Sequence, residues 1–161
     1  MPGASNPRLQ PLPGYNFSVN IVKKTFGVPT PLVGDNYFSK ISGISTTRNT
    51  NPVQAGAGNM TTYHLPTEIN YSPLVLERGI VSGFSPLTLW CTSSMSMLMG
   101  GIQTATIIVY LIEPVSSAPA MAWAFFNAYP AKWTISDFDA MDSKYAFESI
   151  EFCYSYYTRI Y

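Results

Sequence analysis

Two stretches, Thr104 to Ile112 (TATIIVYLI) and Met121 to Tyr129 (MAWAFFNAY), carry apolar residues at odd and even positions alike. A strand that is apolar on both faces must be covered on both faces. The rest of the chain offers little to do the covering. Only one segment reads as a substantial helix. Ser85 is an N-cap residue and Pro86 fits the first helical position. Leu87, Trp90, Cys91, Met95 and Leu98 then fall on one helical face, and Gly100-Gly101 marks the end. With one helix available, the second cover has to come from another sheet or from another subunit.

Composition points the same way. Charged residues make up 11% of the 161 residues, against roughly 25% in an average soluble domain. A domain this small has a large surface for its volume, so a monomer normally covers it with charge. Either partners bury much of the surface, or a membrane does. No run of 18 or more apolar residues is present, which argues against a spanning helix. The Pro-rich start, Met1 to Gly14, has no apolar core of a secretory signal, so synthesis in the cytoplasm is expected and an outer-membrane barrel is disfavoured.

The other extended segments are read from period-2 alternation. Residues 1–13 form an irregular arm, because Pro2, Pro7, Pro11 and Pro13 remove ladder donors. Tyr15, Phe17, Val19 and Ile21 alternate with polar residues and predict a half-buried strand. Gly27 to Gly34 reads as a loop, and Tyr37 to Ile44 as a second strand closed by Gly43. Ile69 to Arg78 is a third extended stretch, with Pro73 marking an edge or a bulge. From Ala146 onward, Ile150, Phe152, Tyr154, Tyr156 and Ile160 alternate with polar residues in one long strand. Glu148 lies on its apolar side and needs a partner there.

Residues 45–62 (STTRNTNPVQAGAGNMTT) are small and polar, with little core material. An ordinary connection has about four to six residues. So long a segment is either disordered or an arm that orders against a neighbouring subunit.

Reaction chemistry has few candidates. His64 is the sole histidine and has no Cys, Asp or Glu at ligand spacing. Cys91 and Cys153 fit no zinc or CxxC spacing and read as free thiols. Asp137, Asp139 and Asp142 lack the Gly and closing Glu of a calcium loop, so a turn is the better reading. Gly56-Ala57-Gly58 lacks the Lys and helix of a phosphate loop. No catalytic, cofactor-binding or metal-binding residue is therefore expected, and no enzyme activity. The nine basic and nine acidic residues cancel and form no basic stripe for nucleic acid. They are unevenly placed: Arg8, Lys23, Lys24, Lys40, Arg48 and Arg78 precede Glu113, Asp137, Asp139, Asp142, Glu148 and Glu151. Opposite faces of opposite charge would suit stacking on further copies.

The order of motifs resembles the phage-type tail tube proteins, including those of extracellular contractile injection systems. The resemblance is carried by Tyr15-Asn16-Phe17-Ser18-Val19, then Ile41-Ser42-Gly43-Ile44, then Leu76-Glu77-Arg78-Gly79 and the helix around Trp90. Asn127-Ala128-Tyr129-Pro130-Ala131-Lys132 and the closing Glu148-Ser149-Ile150-Glu151 complete it. It spans residues 15–158; Tyr129 stands where the family commonly has Trp. It implies a mainly β fold: a small β-barrel or sandwich of antiparallel strands with one flanking helix, in a single domain over residues 1–161. It further implies hexameric rings stacked head to tail inside a contractile sheath, in a phage tail-like particle. Implied partners are further copies of the chain, sheath, baseplate or spike and tube-terminator proteins, with effector cargo in the lumen. No cofactor is implied. A tube-initiator paralogue near the baseplate is the alternative within the family; a viral or adhesin β-sandwich and a ligand-binding barrel are the alternatives outside it.

Overall fold

A computed structural model describes residues 11–25, 28–54, 61–80, 82–96, 101–139, 141 and 143–161. Most of the irregular N-terminal arm and the Gly56-Ala57-Gly58 segment lie outside these residues, as do Met97, Leu98, Met99 and Asp142.

The chain is mainly β, as its alternation predicts. The strands are β1 (Phe17–Thr25), β2 (Val28–Pro31), β3 (Lys40–Ser42), β4 (Thr46–Gln54), β5 (Thr62–Tyr71) and β6 (Leu74–Gly79). After the helix α1 (Pro86–Met95) come β7 (Ala105–Ile112), β8 (Pro119–Ile135), β9 (Phe147–Cys153) and β10 (Tyr156–Arg159). Every pairing is antiparallel. The main sheet has the order β2-β1-β7-β8-β9-β6-β3, and β10 also pairs with β8. β4 and β5 form a separate two-stranded sheet.

The seventeen-residue β8 organises the body. Its first half pairs with β7 and its second half with β9. β9 and β10 lie along β8 in one register, Cys153 opposite Tyr129 and Tyr156 opposite Phe126. They are thus the long final strand that the sequence predicts, interrupted at Tyr154 and Ser155. Beside that break Asn127 has a positive φ of 55°, so the strand is locally kinked. The kink changes which tyrosine turns inward: Tyr157 packs against the core, while Tyr156 and Ile160 are exposed. A simple alternation had placed Tyr156 and Ile160 inside.

Three further expectations are corrected. The Gly27 to Gly34 loop contains β2, which pairs Val28–Pro31 with Val22–Thr25 of β1. The second strand shrinks to Lys40–Ser42, leaving Tyr37 on the surface. The helix stops at Met95 with Ser96 as its C-cap, so Met95 is exposed rather than packed; Leu87, Trp90 and Cys91 carry the buried face. Ser85 caps the helix as predicted, accepting a hydrogen bond from the Thr88 amide.

The core lies between the sheet and α1. Trp90 stacks on Phe152 with ring centroids 5.6 Å apart, and its Nε1 donates to the Gln103 carbonyl at 2.9 Å. Val19, Ile21, Leu74, Leu76, Ile107, Phe125 and Ile150 fill the rest. The second face of β7 is only half covered: Ile108, which has no polar group, and the ring of Tyr110 stay partly exposed. Gly43 closes the approach of β3 to β6. It has a φ of 86°, and a Cβ there would sit 1.9 Å from the Pro73 carbonyl oxygen, so no other residue fits.

Candidate assembly surface

Two features stand apart from an ordinary sandwich: a charged network inside the body and a hairpin with no body of its own.

The network answers the question posed by Glu148. Its partner is Arg78, on the neighbouring strand and in direct register. Asp35, Arg78 and Glu148 are respectively 5%, 3% and 5% exposed. Arg78 Nε donates to Glu148 and Nη1 to Asp35, both at 2.5 Å, and Nη2 donates to Ser85 Oγ at 2.8 Å. Asp35 also accepts from the Leu87 amide at 2.7 Å, at the positive end of the helix. Trp133 Nε1 donates to Glu148 Oε2 at 2.9 Å. Burial alone would push the guanidinium down, but its bonds to Asp35 and Glu148 outweigh that and hold it above its usual value. Arg's rigid fork meets two carboxylates and a hydroxyl at once, which Lys cannot do. The network joins the loop before β3, β6, β9 and the start of α1. It is structural: its donors and acceptors are used up on one another.

The hairpin is the opposite case. Every residue of β4 is exposed, and so is β5 up to Asn70. The register shifts once, between Arg48 and Thr50. Beyond that point Val53 faces Tyr63 and Asn51 faces Leu65, so these side chains share one face near the tip. Tyr63 and Leu65 are 58% and 52% exposed. The hairpin is tied down at its base. Tyr71 lies 5.8 Å from both Tyr154 and Tyr157, and Thr46 Oγ1 donates to the Tyr157 hydroxyl at 2.9 Å. Tyr154 in turn donates to the Ser72 carbonyl at 2.8 Å. Of residues 45–62, expected to be either disordered or an arm ordering against a neighbour, Thr46–Gln54 is ordered within the subunit by pairing with Thr62–Tyr71, and 55–60 lie outside the described residues. What was legible is its lack of core residues.

The residues weighed for chemistry do not converge. His64 is exposed on β5 opposite Pro52. Cys91 is buried in α1 among the core residues, where burial first and the nearby Glu148 second push its thiol up to about 12. Cys153 is half-buried and free. Asp137 and Asp139 are exposed, and Asp139 Oδ1 accepts from the Met141 amide as in a turn. Among the described residues no three His, Cys, Asp or Glu side chains gather as a metal group, and no helix is long and apolar enough to cross a membrane.

The described residues thus form an antiparallel β body with one capped helix and a projecting hairpin. The family described as T4-like virus tail tube protein gp19 matches residues 13–158, and the chain belongs to that family. No curated relative matches. Among solved structures, a chain of the anti-feeding prophage baseplate is 26% identical with a TM-score of 0.82, covering 94% of this chain and 96% of that one. A chain of the sheath-tube complex of an extracellular contractile injection system is 20% identical, with a TM-score of 0.76 and 98% of both chains covered. Hcp1 from Flavobacterium johnsoniae has the same fold at 16% identity and a TM-score of 0.52, over 91% of this chain and 95% of its own.

Proposed function

We propose that the chain is a structural subunit of the inner tube of a contractile injection particle. It has no catalytic residue, cofactor or metal of its own. Subunits close into six-fold rings, the rings stack head to tail inside a sheath, and sheath contraction drives the tube through a target envelope with effectors in its lumen. The exposed hairpin carries this reading: a two-stranded sheet is marginal in water by itself, and one that keeps apolar side chains outside awaits a neighbour. The half-covered face of β7 and the low charge support it as well. Sheath, baseplate and tube-terminating proteins are the expected partners, as in the particles that contain the similar chains. Assembly takes place in the bacterial cytoplasm, and the finished tube resides in a tail-like particle.

A second reading places the chain at the tube's start, against the baseplate. The higher identity and TM-score to a baseplate chain than to a sheath-tube chain favour it. Electron microscopy of the purified protein tests the common part: rings and short stacks are expected. Sedimentation showing only the 17.8-kDa monomer at high concentration, with no rings in micrographs, would overturn it. Labelling the subunit in whole particles separates the two readings, since a tube subunit is labelled along the full length and an initiator at one end.

A further inference from the structure

The two outer strands of the main sheet, β2 and β3, are joined by residues 32–39. This connection is pinned at both ends. The Leu32 amide donates to the Ile21 carbonyl on β1 at 2.8 Å, and the Ser39 amide donates to the Glu77 carbonyl on β6 at 2.8 Å. Between the pins it is a strap across the start of α1, where Leu32 and Val33 share a groove with Pro86, Leu89 and Trp90. Val33 and Tyr37 are 75% and 87% exposed, and Gly34 and Asn36 are exposed too. Asp35, in their midst, is buried. Among the described residues, the hydrogen bonds of residues 33–38 are all made by Asp35. The Phe38 ring stands 6.0 Å from the Arg78 guanidinium and adds a softer tie.

The helix depends on that one carboxylate. Its ten residues are too few for a helix to persist alone in water. Its first turn holds no acidic residue to meet the free amides there. Asp35 supplies the charge from outside. Its Oδ2 accepts from the Leu87 amide at 2.7 Å. Its Oδ1 accepts from the Ser85 hydroxyl at 2.9 Å, and the same hydroxyl oxygen accepts from the Thr88 amide at 3.1 Å. Pro86 has no amide hydrogen to satisfy. The first donors of α1 are therefore met by Asp35 directly, or by a Ser85 that Asp35 holds. Gly34 sets the direction of Asp35. Its φ of 97° is left-handed, and open space surrounds the side chain it lacks.

We propose that the strap and α1 open and close as one unit, latched by Asp35, while the sheet stays folded. Lifting the strap withdraws the carboxylate from the Leu87 amide, Ser85 and Arg78 together. The helix then loses its anchored end, and Trp90 is freed to leave Phe152. Conversely, whatever holds Val33 and Tyr37 still keeps α1 seated, because a coupling between two elements acts equally in both directions. The central strands β1, β7, β8 and β9 pair along their length, so the joint opening of strap and helix is a local event. The latch belongs to the subunit itself and is independent of assembly.

Hydrogen exchange of the full-length chain, read by mass spectrometry, tests the latch. Gly34→Ala strains only the strap backbone, since a Cβ there meets nothing within 4 Å. It should speed exchange across Pro86–Met95 about ten-fold and leave β7 and β8 within about two-fold of the parent. Asp35→Asn keeps the size of the side chain and removes its charge. It should speed exchange in α1 by itself, and adding Gly34→Ala to it should change α1 by less than about two-fold, because the latch is already open. Exchange in α1 that ignores Gly34→Ala overturns the latch. So does a rise of equal size in α1, β7 and β8, which is global loosening. An undiminished effect of Gly34→Ala in the Asp35→Asn chain overturns the role of Asp35. Should Asp35→Asn fail to fold, the Gly34→Ala result decides alone.

Discussion

β5 and β6 are neighbours in the chain and have opposite fates. Both alternate apolar and other residues. In β6, Leu74, Leu76 and Arg78 point inward and are buried. In β5, Tyr63, Leu65 and Ile69 are exposed. Only Ser72 and Pro73 separate the two strands. Alternation therefore specifies a strand, but burial depends on whether a second layer lies opposite. β6 meets α1 and the rest of the sheet; β5, apart from Tyr71 at its base, pairs only with β4, whose Thr, Asn and Gln residues build no layer. β6 thus belongs to the fold, and β5, on the function proposed above, is left for a neighbouring subunit.

Substitutions can widen or close that contrast. The largest effect is expected at Arg78. Arg78→Ala leaves Asp35 and Glu148 as buried carboxylates without their cation and should cost about 3–5 kcal/mol in urea unfolding. Arg78→Lys should recover only a part, because an ammonium cannot bridge both carboxylates and Ser85. Leu65→Ala in the hairpin should change the same measurement by less than about 0.5 kcal/mol. Equal losses at the two sites would erase the distinction between body and hairpin.

A smaller effect concerns alkaline pH. Burial holds Cys91 at about 12 against an ordinary 9.0. Tyr154 is raised from 10.0 to about 12, by burial first and then by Tyr157 and Tyr71. Both folded values lie above the unfolded ones. The neutral groups therefore contribute stability that is complete below about pH 9 and is lost as pH rises toward about 12. The urea midpoint should fall across that range. A midpoint that stays level from pH 9 to pH 12 would mean that neither group is shielded as the structure has it.

Much of the body could be read from the residues. Ser85-Pro86 announced the helix start, the doubly apolar stretches that became β7 and β8 announced strands needing cover on both faces, and Glu148 announced a need for a partner. The identity of that partner was not readable. Arg78 and Glu148 are 70 residues apart, and only the register of β6 on β9 brings them together. Asp35 was equally silent, a single carboxylate in a loop. The strand β4 was not recognised for a physical reason. Its threonines and asparagines lack the apolar alternation by which a half-buried strand is recognised, because neither of its faces is buried within the subunit. The inward turn of Tyr157 was hidden too, since it depends on the backbone at Asn127, on another strand.

The central claim is that the hairpin serves assembly and not folding. Excising Asn51 to Leu65 and joining Thr50 to Pro66 through an Asn-Gly turn removes the outer part of both strands in register, because Thr50 and Pro66 are already paired. The shortened chain should unfold in urea within about 0.5 kcal/mol of the parent and should form no stacked rings in micrographs under conditions where the parent does. Stacks of normal length from the excised chain, or a chain that no longer folds, would contradict the account.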